Sequence, residues 1–174
     1  MTLELLVLSG TVGVGKTTIG EEIHEVLSGR EIPNAFFDLD ALRYQFPETS
    51  PWNAALVAEH FAAMWPNLER RAVFHLVLAG VMETPDDLDR ITGSLPTARV
   101  TVVRLTALED LRKRRLRDRM RPGGSLDWHL SRTGELDRIL DGSAVEMIEV
   151  DNGERTPAAV ATEILTRIGW LARP

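Results

Sequence analysis

The chain has 174 residues, which fits one domain on the usual scale of roughly 100–200 residues each, and 44% of them are apolar, enough for a core and against disorder. Its 26 acids and 20 bases give net −6, and the bases are 18 Arg against two Lys, Lys16 and Lys113. The absence of Cys excludes disulfides, thiolate-held metal centres and a cysteine nucleophile, while the acidic balance argues against broad nucleic-acid binding.

The start, Met1-Thr-Leu-Glu, lacks a basic leader, and the longest apolar stretch, Leu76 to Met82, is far below the roughly 20 residues that span a bilayer. A soluble cytoplasmic protein with no membrane partner is expected. Short aliphatic runs at Leu3–Leu8, Ala35–Phe37, Ala72–Leu78, Val100–Leu105 and Val145–Val150 alternate with amphipathic stretches. That alternation predicts an α/β domain whose parallel sheet is covered on both faces.

The first predicted strand runs into Gly10-Thr-Val-Gly13-Val14-Gly15-Lys16-Thr17-Thr18, and an amphipathic helix over Thr17–Leu27 follows. The segment fits the P-loop (Walker A) pattern GxxxxGK[ST] in its required strand-to-helix context. Glycines let successive N–H groups wrap a polyphosphate, and the helix N-terminus adds a positive dipole end. Gly10, Gly13, Val14, Gly15, Lys16, Thr17 and Thr18 are therefore candidate ATP contacts. Lys16 supplies charge to the β/γ oxygens and Thr17 a hydroxyl to Mg²⁺; Thr18 caps or packs as readily as it meets a phosphate.

The second strand ends in Asp38-Leu39-Asp40-Ala-Leu-Arg43. Read as extended chain, Asp38 and Asp40 share a face towards the carboxyl end of the sheet. One carboxylate can hold Mg²⁺ or its water and the other can accept a proton from an attacking hydroxyl. Arg43, read as the start of a helix, can grip an acceptor through its planar fork, and helix capping is the plain alternative for Asp40. In the next segment, Tyr44–Leu68, Val57, Phe61, Met64, Trp65 and Leu68 form one apolar helical arc, best read as core. Trp52 can line a ring pocket, His60 sits at the edge of the arc, and His75 reads as a hydrogen-bonded core histidine.

A guanine-reading Asn/Thr-Lys-x-Asp element is absent, because Lys113 is followed by Arg114 and Arg115. The third strand also lacks a terminal acid of the motor-ATPase kind. Eight bases and three acids lie between Arg104 and Arg121, a local +5 that leaves −11 for the rest of the chain. At about 100° per residue, Arg112, Arg115 and Arg119 share an arc with Leu108, Leu111 and Leu116, so three arginines face inward. Bound ATP is their expected counter-ion, with internal salt bridges as the alternative. Arg121-Pro-Gly-Gly-Ser then reads as a hinge or lid spanning 121–134, or as a surface loop; Trp128 and His129 within it have no assigned role.

The P-loop, the DxDxxR element of Asp38, Asp40 and Arg43, and the run Arg115-Leu116-Arg117-Asp118-Arg119 together resemble the small-molecule kinases of the nucleoside-monophosphate-kinase-like superfamily. Adenylylsulfate, shikimate and gluconate kinases and phenicol-type antibiotic phosphotransferases are members. Adenylylsulfate kinases carry DGDxxR, from which Leu39 departs. The resemblance covers essentially the whole chain and implies a single three-layer domain over 1–174, with five parallel strands ordered 2-3-1-4-5 and a short lid.

It further implies ATP and Mg²⁺ as cofactors, with Thr17 and Asp38 as metal contacts and Lys16, Asp38, Asp40 and Arg119 in catalytic roles. Arg115 would lie against adenine, Arg119 on phosphate, and Pro157 beside the adenine slot, where helix initiation also explains it. Asp40, Arg43, Gly80, Glu83 and Arg132 would meet the acceptor. The activity implied is transfer of the γ-phosphoryl group to a hydroxyl of a small metabolite or antibiotic. A nucleotide or polynucleotide 5′-kinase and a regulatory ATP-binding module are the alternatives, and the oligomeric state is open.

Overall fold

A computed structural model describes residues 2–93, 95, 97–143, 145 and 147–172. Five parallel strands, β1 (Glu4–Ser9), β2 (Asn34–Asp38), β3 (His75–Ala79), β4 (Arg99–Thr106) and β5 (Ile148–Asp151), form one sheet in the order β2-β3-β1-β4-β5. This is the expected order. Six helices accompany it among the described residues: α1 (Lys16–Ser28), α2 (Ala54–Glu69), α3 (Pro85–Thr92), α4 (Glu109–Arg119), α5 (Gly124–Ser143) and α6 (Pro157–Arg167).

Strand periodicity divides the core into two layers. From β1, Leu6 and Leu8 join Ile19, Ile23 and Leu27 of α1 and Val160, Ile164 and Leu165 of α6. Leu5 and Val7 point the other way, onto Val57 and Phe61 of α2 and Ile91 of α3. Each such fully buried aliphatic side chain contributes about 1.5–3 kcal/mol relative to an exposed one. The sheet is thus fixed from both sides, and its carboxyl-end loops carry the chemistry.

The strand ends differ from the sequence reading in two instructive places. Ala72 belongs to the turn leaving α2, with φ +57° and its N–H bonded to Glu69 O, so β3 starts at His75 instead of Ala72. β5 starts at Ile148, three residues later than expected, and Glu146 within the expected span lies outside the described residues. His75 makes an edge contact with Trp170, ring centroids 4.9 Å apart, in place of the expected core hydrogen bond. No helix among the described residues is long and apolar enough to cross a membrane.

Candidate active site

A cleft of about 470 Å³ opens at the carboxyl end of the sheet. One end is built from the segment joining β1 to α1. Gly13 (φ +80°) and Gly15 (φ +104°) hold left-handed backbone, where a Cβ would also come within 2.9 Å of Arg112 O and 2.7 Å of Asn152 Nδ2, respectively. Only glycine fits both demands. The turn is held from behind: Val14 is buried, and its carbonyl accepts from Asn152 Nδ2 (2.7 Å) and Arg115 Nη1 (3.2 Å). Thr133 of α5 donates its hydroxyl to Val12 O at 2.8 Å.

Lys16 Nζ donates to Gly10 O at 2.8 Å and Thr11 O at 3.0 Å. An ammonium has three N–H bonds, so one remains for the cleft that Lys16 lines. Burial lowers its pKa from 10.5 to about 8, against the opposing pull of Asp40 and Asp38. Arg119, at the last turn of α4, also lines the cleft and makes no hydrogen bond or ion pair among the described residues. It is near enough to Lys16 to push that pKa down.

Thr17 Oγ1 donates to Asp38 Oδ2 at 2.6 Å, and Asp38 Oδ1 accepts from Asp40 N at 2.9 Å. Asp38, the last residue of β2, is therefore the capping acid of the 3₁₀ turn Leu39–Leu42. Asp40 lies inside that turn, so the extended-chain reason given for the two carboxylates sharing a face does not hold, although both line the cleft. Arg43 ends the turn instead of starting a helix and pairs with Asp40 at 2.8 Å.

Hard oxygen donors suit Mg²⁺, and Thr17 Oγ1 with Asp38 Oδ2 forms such a pair beside the P-loop. Among the described residues no group of three His, Asp or Glu side chains could hold a metal alone. The donor set therefore fits an ion that takes its other oxygens from a triphosphate and water.

The expectation that Arg112 faces ATP is overturned. Arg112 is 3% exposed and ion-paired with Asp137 of α5, while also donating to Thr133 Oγ1 (3.1 Å) and Ala107 O (2.6 Å). The inward arc of α4 faces α5 there, and an acid of the same chain is its counter-ion. Arg115 donates to Gly153 O at 2.7 Å as well as to Val14 O, and desolvation lowers its pKa. Pro157 occupies the first turn of α6, whose cap is Thr156 accepting from Ala159 N, and does not line the cleft.

The acceptor candidates line the same cleft. Gly80 donates its N–H to Leu8 O and, with Glu83, lines the wall. Arg132 pairs with Glu83 at 2.5 Å and Glu135 at 2.8 Å; desolvation lowers its pKa, but these hydrogen bonds outweigh that and raise it. The segment 124–134 is helical, forming the first half of α5. His60 Nδ1–H donates to Leu42 O, 3.1 Å away, outside the cleft.

Several cleft residues had no role in the sequence reading: Trp128, His129, Asp87 and Arg90 line it, and Asn152 supports it. The Asp-Asn-Gly turn after the last strand was the available signal for Asn152. For Trp128 the signal was an exposed-looking aromatic beside the hinge glycines.

No family model matches the chain, and no curated protein matches it either. Solved structures do. A gluconokinase from Sinorhizobium meliloti 1021 is 21% identical, with 97% of this chain and 93% of that one covered at a TM-score of 0.59. A shikimate kinase from Acinetobacter baumannii, in complex with shikimate, gives 23%, 97%, 94% and 0.61 in the same order. The APS kinase of Mycobacterium tuberculosis, in complex with AMPPNP and APS, gives 14%, 97%, 98% and 0.61. These likenesses span nearly the whole chain, which shares the fold of these kinases.

Proposed function

We propose that the protein transfers the γ-phosphoryl group of ATP to a hydroxyl of a small molecule. One observation carries the reading: a carboxylate-bearing turn, Asp40 with its partner Arg43, lines the same cleft as Lys16 and the Thr17–Asp38 pair. A nucleotide-binding module without an acceptor has no need of Asp40 there.

In the reaction, the acceptor oxygen forms a bond to the γ-phosphorus while the bond from that phosphorus to the β,γ-bridging oxygen breaks, and ADP leaves. Asp40 takes the hydroxyl proton as the new bond forms. Lys16, Arg119 and the P-loop N–H groups hold the phosphate oxygens through the charge redistribution. Thr17 and Asp38 would hold Mg²⁺, which when bound neutralises β- and γ-oxygens. Arg43 holds Asp40 in place through their ion pair. Trp128, His129 and Arg132, from the first half of α5, wall the cleft and exclude water that would otherwise take the phosphoryl group.

Incubation with ATP labelled in the γ-phosphate and a panel of small alcohols tests the reading. Label in an organic phosphate that disappears in Asp40→Asn supports it. Label released only as inorganic phosphate, at one rate with every alcohol, contradicts it.

A further inference from the structure

The acceptor end of the cleft has two properties that together define a ligand class. The first is an aromatic wall. Trp52 and Trp128 meet across it with ring centroids 5.6 Å apart and planes at 49°, and His129 stands edge-on to Trp128 at 4.8 Å. Both indoles remain accessible, 49% and 43% exposed. This is uncommon for residues so large, which usually bury most of their surface.

Trp52 is also held in place at a conformational cost. It and Asn53 occupy consecutive left-handed positions (φ 56° and 48°), a conformation that is unfavourable for a residue with a Cβ. The Asn53 side chain fixes it: 3% exposed, it donates to Arg43 O (2.8 Å) and Gln45 O (3.3 Å) and accepts from Thr49 N (3.0 Å). The segment carrying Asp40 and Arg43 is thereby tied to the one carrying Trp52. Strain maintained by a dedicated buried clamp points to a side chain kept in position for use.

The second property is charge cancellation. Three arginines face this end, and each already has its carboxylate: Arg43 with Asp40 (2.8 Å), Arg90 with Asp87 (3.2 Å), and Arg132 with Glu83 (2.5 Å) and Glu135 (2.8 Å). An anionic acceptor would have to displace one of these carboxylates and then lie beside it. By contrast, Lys16 and Arg119 at the phosphate end have no carboxylate ion pair among the described residues. Among the described residues lining the cleft, the cations without an ion pair are therefore Lys16 and Arg119, with Asp40 and Asp38 acting on Lys16 from nearby.

We propose that the acceptor is an uncharged alcohol bearing a flat or aromatic ring, with the ring against Trp52 and Trp128 and the hydroxyl at Asp40. The transfer of phosphate to it rests on the phosphotransferase reading; the ring site does not. His129 adds a polar contact: its Nδ1–H donates to Ser125 O at 2.6 Å, which leaves Nε2 of the neutral ring as an acceptor for a ligand hydroxyl.

Calorimetric titration of the AMPPNP-loaded protein with two matched pairs of probes tests this. p-Nitrophenyl β-glucoside against glucose isolates the ring, and uridine against uridine 5′-monophosphate isolates the charge. The ring-bearing glucoside is expected to bind at least about tenfold tighter than glucose, and uridine tighter than its monophosphate. Trp52→Ala and Trp128→Ala are each expected to weaken the glucoside by about 5- to 10-fold. Glu83→Gln, which relieves part of the cancellation at Arg132, should move the ratio about fivefold towards the monophosphate without touching either indole.

Tighter binding of the monophosphate by wild type, or glucoside binding unmoved in both tryptophan variants, overturns the proposal. If label from γ-labelled ATP reaches carboxylate-bearing alcohols such as gluconate but no ring-bearing neutral one, the ring proposal fails and the phosphotransferase reading stands. If the glucoside binds through both indoles while no alcohol accepts label, the phosphotransferase reading fails and the ring site stands.

Discussion

The two ends of the cleft are made in different ways. The phosphate end is mostly backbone: left-handed glycines, N–H groups at the start of α1, and a carbonyl framework fastened from beneath by Asn152, Arg115 and Thr133. Its cations are unpaired with carboxylates. The acceptor end is made of side chains from a 3₁₀ turn, a strained tryptophan and α5, and its cations are neutralised by neighbouring acids. A backbone-made site binds whatever carries a polyphosphate, because main-chain donors are the same in any sequence. A site made of side chains can be changed residue by residue.

The sharpest way to break the contrast is at Lys16. Lys16→Ala is expected to lower kcat/KM by roughly 10³–10⁵, the range for removing a cation from a transferring phosphoryl group; steady-state kinetics with a responsive acceptor measures it. Asp40→Asn removes the proton acceptor and not a phosphate contact, so a loss in kcat of about 10²–10⁴ is expected. Its AMPPNP affinity should stay within about threefold of wild type. A parallel fall in nucleotide affinity would move Asp40 to the phosphate end.

Arg112→Met probes what keeps the two ends together, since this buried guanidinium joins α4 to α5. Removing it leaves Asp137, among the described residues, with Arg104 at 3.8 Å as its one ion-pair partner, and a loss of about 2–3 kcal/mol in unfolding free energy is expected. That is below the full buried-pair cost because Asp137 is a third exposed. Chemical denaturation measures it. An effect on ATP affinity alone, with stability unchanged, would return Arg112 to the nucleotide.

The smallest expected effect is a pH dependence. Lys16 in the free protein loses its proton near pH 8, and a triphosphate beside it raises that pKa again. Binding should therefore take up a proton above about pH 8, and ATP affinity should fall there by up to about tenfold per pH unit. Below pH 7 the same term is flat. Titrations in buffers of different ionisation enthalpy count the proton, and an affinity constant from pH 7 to 9.5 would remove Lys16 from the phosphate contacts.

The same contrast governs what the sequence could disclose. Strand positions and the phosphate loop were legible because they depend on local pattern, aliphatic runs and glycines at positions where a Cβ collides, whereas the strand order followed from the resemblance to known kinases. The carboxylate pair was found for a partly wrong reason, since Asp40 faces the cleft through a 3₁₀ turn that Asp38 caps. Helical periodicity correctly turned Arg112 inward but could not say that α5 would be opposite. The Trp52–Trp128 contact joins residues 76 positions apart, and it depends on the Asn53 clamp. Nothing local in the chain encodes that meeting.

The central claim is that one cleft joins a phosphate donor to a hydroxyl acceptor through Asp40. Its most direct measurement is single-turnover transfer from γ-labelled ATP to p-nitrophenyl β-glucoside, followed in wild type and Asp40→Asn at saturating nucleotide. The expected result is labelled glucoside phosphate in wild type and a rate about 10²–10⁴ lower in the variant. Equal rates of label release as inorganic phosphate in both proteins, with no labelled organic phosphate from the glucoside or from any other alcohol supplied, gluconate included, would contradict it.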